Sequence, residues 1–373
     1  MLLFSSDLPR AALRRALTID FLAKRRTNMT NTTPRRPDVG GQAVLEGVMM
    51  KGPDAIAVSV RRENGDVVVK RDAYEAPGKK HPWMGKPFIR GSVNMVQMLG
   101  MGMRVLSDST AMLGMESEEP SRFEKWLARK FGKSVDKVVM TVAALLAVCL
   151  SVGLFVLLPN VIIKLFPESA TGGMLLLKNL ATGLIRIALL IAYISLCGRI
   201  PDMRRTFQYH GAEHKTVYCN EHNLPLTPQN ARTFSTLHPR CGTSFLLITF
   251  FLSIIFYSII DVLVLLITGY DLGAHYLVRV LTRIVLLPVI AGISYEVLKT
   301  LAHHDGKLAR ALRWPGLQMQ RLTTRQPSDD MLQVAIISII AALDGVPEGE
   351  KTEEGWTLLH PDQVDALTGY TRS

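Results

Sequence analysis

The sequence predicts an α-helical integral membrane protein: four transmembrane helices carrying a small cytoplasmic α+β cap that includes an N-terminal β-hairpin. Two observations lead there. Four apolar runs, at about 138–159, 174–197, 244–268 and 276–298, each exceed the ~20 residues that cross a hydrocarbon core. The basic residues are spread unevenly around these runs. Of 43 Lys and Arg, 24 precede the first run, six lie in the connection 199–243 and eight follow residue 298. The hairpin loops 160–173 and 269–275 hold one and none. Basic segments stay on the cytoplasmic side, so both termini and the 199–243 loop are expected inside a bacterial inner membrane. The same bias, with attraction to anionic lipid, accounts for the net charge of +11 without nucleic acid. Membrane lipid is the expected partner, with other membrane proteins as further candidates.

Residues 1–36 form an arginine-rich extension expected to be disordered, and Met29 is an alternative start to Met1. No signal peptide is expected, because Arg14 and Arg15 interrupt the first apolar stretch. The first organised unit is 37–115. In it, "AIAVSVRRENGDVVVKRDAY" places two β-rich runs around Asn64-Gly65, which predicts a hairpin with a type I′ turn. Ahead of it, "GGQAVLEGVMMKGP" is glycine-rich with Glu46 in an apolar setting; a turn carboxylate is the simpler reading and a ligand the sharper one. Between Phe88 and Leu113, Ile89, Val93, Val96, Leu99, Met103 and Leu106 recur at helical spacing. Too short to span, this Met-thickened helix is expected on the membrane surface or against the spans. Residues 116–137, with "FEKWLARKFGK", predict an interfacial helix.

The membrane domain, 138–298, carries charges of its own. Asp261 and Arg283 stand equally far from the 269–275 loop, so an antiparallel hairpin brings them to one depth and predicts a structural pair. Arg279 is expected to snorkel outward, and Arg186 lies near mid-span. The cytoplasmic segment 299–343 includes Met331–Leu343, short and apolar nearly all round, which calls for burial against protein. Residues 344–373 are polar and expected to be a disordered tail.

The chemistry concentrates in the loop. In "FQYHGAEHKTVYC", His210 and His214 share a helix face and can grip one ion. His-x-x-Glu-His is the inverzincin order, in which the glutamate, here Glu213, is the general base. A chance match of this kind is roughly one in a hundred for a chain with so few histidines. Cys219 follows, and "LHPRCGTSF" adds His238 and Cys241 in a Pro/Gly turn, reduced thiols being available in the cytoplasm. Thr227-Pro228 starts a helix that brings the chain back. The candidate ligands are therefore His210, His214, Cys219, His238 and Cys241, with Glu296 as the distant glutamate the inverzincin pattern would use. A divalent ion, zinc first, suits such donors. Three protein ligands would leave a catalytic site open, whereas four would make it structural. Hydrogen bonding within a compact loop is the plainer alternative. His303 and His304, beside Asp305, are expected to be an ordinary juxtamembrane turn.

Six motifs then stand in order: "GGQAVLEGVMMKGP", "PFIRG", "FQYHGAEHKTVYCNE", "HPRCGTSF", "GISYEVL" and "PGLQMQRLTT". From Gly40 to Leu343 the chain resembles the YqhQ family, bacterial multi-pass membrane proteins known as a domain of unknown function and labelled a predicted metal-dependent enzyme. The resemblance draws attention to Glu46, Arg90, His210, Glu213, His214, Cys219, His238, Cys241 and Glu296. The leading expectation is a metal-dependent hydrolase at the inner membrane face. A non-enzymatic scaffold or regulator of membrane proteins, its loop held by a structural ion or by hydrogen bonds, and a transporter, are the alternatives.

Overall fold

The structure, a computed structural model, describes residues 36–114, 135–163, 165, 172–270, 272, 275–302, 304 and 306–369. Residues 1–35 of the basic extension and 116–134 of the expected interfacial helix lie outside the described residues, as do His303 and Asp305.

Six strands make one antiparallel sheet in the order β1-β2-β3-β4-β6-β5. They are β1 (Gly40–Val44), β2 (Gly47–Lys51), β3 (Ala55–Arg61), β4 (Val67–Ala73), β5 (Glu350–Lys351) and β6 (Thr357–Leu359). The sheet is buried on both faces. Val48, Met50, Ala57, Val67, Val69 and Leu359 point into one core, while Val44, Met49, Val58, Val60 and Val68 point into another. Two-sided burial removes the polar alternation that marks a half-exposed strand, so "GVMMK" looks like an apolar run and conceals β2.

The β3–β4 hairpin is present, but its turn differs from the expectation. Arg61 pairs with Val67, and residues 62–66 connect them. Only Gly65 is left-handed, with φ 93°. A two-residue Asn64-Gly65 turn would set Glu63 opposite Asp66, two like charges. It would also slip the register by one residue and move the valines to the wrong faces. Asn64 instead ties its side chain to the Asp66 backbone N–H (3.1 Å) and carboxylate (2.7 Å). A second hairpin, β1–β2, turns at Leu45-Glu46, with Glu46 at φ 49°.

Helix α1 (Ile89–Met112) lays Val105 and Met112 on one sheet face and leaves Val96, Leu99, Met103 and Leu106 exposed. Four helical stretches follow that are long and apolar enough to cross a membrane, with apolar windows at Leu145–Ile163, Gly173–Cys197, Gly242–Thr268 and Leu277–Leu301. The first combines α2 (Val135–Val152), a π-helical turn (Gly153–Leu157) and α3 (Leu158–Ile163). The others are α4 (Gly172–Cys197), α7 (Gly242–Thr268) and α8 (Tyr276–Ala302). Between α4 and α7 come α5 (Pro201–Glu221) and α6 (Pro228–Arg232), and after α8 come α9 (Lys307–Thr323), α10 (Asp329–Leu343) and α11 (Pro361–Thr368). Helix α1 crosses α8 closely: a Cβ on Gly91 or Gly292 would come within 3 Å of the other helix or the residues leading into it.

Helix α10 fills the second sheet face. Leu332, Val334, Ala335, Ile336, Ile337 and Ile339 are fully buried, each large one contributing about 1.5–3 kcal/mol. Ser338 Oγ lies 3.0 Å from the carbonyl oxygens of both Val48 and Ala57 and shares its one proton between them, tying α10 to β2 and β3.

Two further expectations are corrected. Of the expected tail, residues 345–369 are not loose, and 370–373 lie outside the described residues: β6 pairs with β4, matching Val67 to Leu359, and α11 packs on α10. Three residues, Thr357 to Leu359, suffice because the unpaired edge of β4 is ready to receive them. Arg279 does not turn outward. Its guanidinium donates to Asp261 (3.0 Å) and Asn179 (2.5 Å), nearer to the carboxylate than Arg283 at 3.7 Å. A buried carboxylate attracts every cation within reach more strongly than a distant interface does.

Candidate metal centre

Helix α5 begins with Pro201 at its first position, where the missing N–H costs nothing, and Asp202 in its first turn. Its second half is buried almost all round, between the β1 edge, α10 and the segment after α9. His210 and His214, one turn apart, have ring centroids 4.4 Å from each other. Cys241 arrives from the far end of the loop as the N-cap of α7, its sulfur accepting from the Thr243 N–H at 3.5 Å. One ligand atom from each of His210, His214 and Cys241 lies within 4.8 Å of the other two.

The imidazoles are oriented from behind. His210 Nδ1 donates to the Thr323 carbonyl (2.9 Å) and His214 Nδ1 to the Thr236 carbonyl (2.5 Å). Such bonds place the lone pair on Nε2, the arrangement metal-binding histidines use. His210 Nε2 then lies 3.2 Å from Cys241 Sγ. His214 Nε2 is buried without a hydrogen-bond partner, a position that natural proteins rarely leave unsatisfied. Burial lowers the His214 pKa, with His210 acting in the same direction and Cys241 and the Thr236 carbonyl partly offsetting it, so the ring is held neutral. A neutral imidazole is the form that binds a metal. This donor set fits zinc with one of its four places left for another ligand.

Glu213 lies beside this trio. Its Oε1 accepts from the Gly41 N–H (3.1 Å) and its Oε2 is 3.9 Å from His210 Nε2. Burial raises its pKa above the usual carboxylate value, with His210 and the Gly41 N–H opposing. Only glycine fits at position 41, since a Cβ would come 2.8 Å from Glu213 Cγ and 2.6 Å from the Met49 carbonyl.

The other candidates lie elsewhere. His238 has both ring nitrogens engaged, Nε2 with Glu221 (3.1 Å) and Nδ1 with the Arg240 N–H (3.3 Å). It stacks edge-on against Tyr218 and supports the turn that delivers Cys241. Burial pushes the Glu221 carboxyl up, but His238 and Arg240 outweigh this and hold it below the usual value. Cys219 is in the core, its thiol donating to the Pro225 carbonyl at 3.3 Å. Glu296 does not join the histidines. It accepts from Arg90 Nε (2.7 Å), Arg90 Nη2 (2.5 Å) and the Phe88 N–H (3.2 Å), so the pair locks α1 to α8. Glu46 makes a two-pronged contact with Arg205, both bonds 2.5 Å, and meets the Tyr209 hydroxyl at 3.4 Å. The β1–β2 turn is thereby fixed to α5 next to His210.

Gln320 escaped the sequence reading. Fully buried in α9, it accepts from the His238 N–H (2.7 Å) and donates to the His238 carbonyl (2.7 Å) and Ser244 Oγ (2.9 Å). With Thr323, it gives "PGLQMQRLTT" a purpose: this stretch clamps the turn carrying Cys241 and orients His210. An amide inside an amphipathic helix that carries basic side chains gave no signal of this.

A family profile described as "Protein of unknown function (DUF1385)" matches residues 86–345. "Uncharacterized protein YqhQ" of Bacillus subtilis (strain 168) is 33% identical over 309 residues, covering 81% of this chain and 91% of that protein. No solved structure matches the chain.

Proposed function

The chain belongs to the YqhQ (DUF1385) family of proteins of unknown function, and we propose that it is a metal-dependent hydrolase whose centre faces the cytoplasm at a bacterial inner membrane. The observation that carries this reading is the convergence of His210, His214 and Cys241 within 4.8 Å, with both imidazoles tied at Nδ1 to backbone carbonyls. A zinc ion held there would supply Lewis acidity at its remaining position. Glu213 is the base. The Gly41 N–H holds one of its oxygens, and the other faces the ligand set. Burial favours its taking a proton, as general base catalysis needs. Glu46 and Gln320 are positioning residues, acting through α5 and the Cys241 turn.

The nearness of Glu213 to His210 also supports the second reading, a scaffold whose glutamate closes a four-ligand structural site. Substitution separates the two. Elemental analysis of the purified chain is expected to give about one zinc per protein, and His210→Ala to lose it. In the hydrolase, Glu213→Gln retains the metal and abolishes function in cells; in the scaffold it lowers metal content or leaves function intact. Wild-type protein purified without stoichiometric metal sinks both.

The membrane placement rests on the four apolar helices and the clustering of basic residues at one end of them. Leu224 and Tyr270 are exposed on connections at opposite ends of the bundle. In intact cells an impermeant maleimide is expected to label Tyr270→Cys and to spare Leu224→Cys. The reverse pattern would put the centre outside.

A further inference from the structure

The apolar helices enclose a second polar feature. A cavity of about 340 Å³ lies between them, lined among others by Arg186, Arg279, Arg283, Ser253 and Ser258. Among the described residues the lining includes no carboxylate. Among the described residues, Asp261 is the one carboxylate that Arg279 and Arg283 meet, and both guanidiniums approach the same oxygen, at 3.0 and 3.7 Å. One carboxylate cannot neutralise two guanidiniums. The Nε atoms of Arg279 and Arg283 are buried without hydrogen-bond partners. Donors and charge of this kind in a low-dielectric setting are unfavourable unless something answers them. The π-helical turn of the first apolar helix contributes Phe155 and Val156 to the wall, and such turns collect at functional sites.

The cavity is separate from the metal centre. Both touch α7, but Cys241 caps its start while the lining runs from Phe250 to Ser258. At ~1.5 Å per residue that places them roughly 13–25 Å apart along the axis.

We propose that this cavity is an oxyanion site that takes a phosphate group, carried by a lipid or free in solution. Arg279 and Arg283 supply fixed N–H forks that suit phosphate oxygens. Ile254, Ile284 and Leu287 on the same wall would accommodate acyl chains. From the preceding section the inference takes only the bilayer around these helices, and it does not depend on the metal.

The test uses the full chain. Lipid retention is read by native mass spectrometry after exchange into vesicles of equal phosphatidylglycerol and phosphatidylcholine. Binding of inorganic phosphate is read separately by equilibrium dialysis in detergent. Wild type is expected to retain phosphatidylglycerol over phosphatidylcholine, or to bind phosphate if the free ion is the ligand. Arg283→Gln is expected to weaken that binding on the order of tenfold, the loss of one charge-assisted hydrogen bond. Ser253→Leu, which fills the cavity and keeps all three arginines, should do the same. Melting temperature, measured on each variant, reports whether the rest of the chain is intact, and labelling at position 270 reports the bilayer placement independently. Equal retention of the two lipids together with no phosphate binding overturns the proposal. So does binding that neither substitution alters.

Discussion

Gly211→Ala is expected to destabilise the protein by about 2–3 kcal/mol or more and to remove the zinc proposed for the His210, His214 and Cys241 cluster. In an ordinary helix interior this change stabilises by about 1 kcal/mol. At Gly211 the opposite should win, because a Cβ would stand 2.0 Å from the Arg325 carbonyl oxygen. That oxygen belongs to backbone and cannot swing aside, since the Arg325 N–H is bonded to the Phe207 carbonyl at 2.8 Å. The segment after α9 must therefore move off α5, and it follows directly on Thr323, whose carbonyl orients His210. Gly100, inside α1, provides the control, as a Cβ there meets nothing within 4 Å. Gly100→Ala should be neutral or stabilising. Melting temperatures and zinc content of both variants check this. If Gly211→Ala behaves like Gly100→Ala, the close packing of α5 is wrong.

Removing the proposed zinc is the second large expected effect. An ion that binds only the folded chain stabilises it by about 4 kcal/mol when free zinc exceeds its dissociation constant a thousandfold. For a chain of this size, that corresponds to on the order of 10 °C in melting temperature. A chelator is expected to cause such a drop and added zinc to reverse it. His214→Ala should melt near the chelated value and ignore both additions. A wild-type melting temperature indifferent to chelator would contradict the ligand set.

The legible parts of the fold were those written locally. The apolar helices show in length and composition, and the β3–β4 hairpin shows in its turn residues. The closeness of Asp261 and Arg283 followed from counting inward from a shared loop. Pairings between distant segments were not legible. Nothing local tells "TLL" at Thr357 to Leu359 that β4 awaits it. Nothing in "GISYEVL" says that Arg90, rather than a metal, will claim Glu296. At the site, helical spacing identified His210, Glu213 and His214. The sequence left His238 and Cys241 as equals, because two residues in one turn differ only in which way the turn points. Glu221, Arg240 and Gln320 decide that, and they come from three different elements.

The sheet joins the two ends of the chain. Val67 of β4 pairs with Leu359 of β6, and every long apolar helix is encoded between them. On the ribosome the sheet cannot be finished until the C-terminal strand emerges. At about 5–20 residues per second the intervening stretch takes roughly 15–60 s to synthesise. During that interval β4 offers an open edge to any other chain nearby. α10, which covers one face of the sheet, is also encoded after the last long helix. The half of the molecule that carries the candidate metal centre is therefore assembled last, after its hydrophobic helices have been made, and truncations near the C-terminus should leave the bundle but not the cluster of His210, His214 and Cys241.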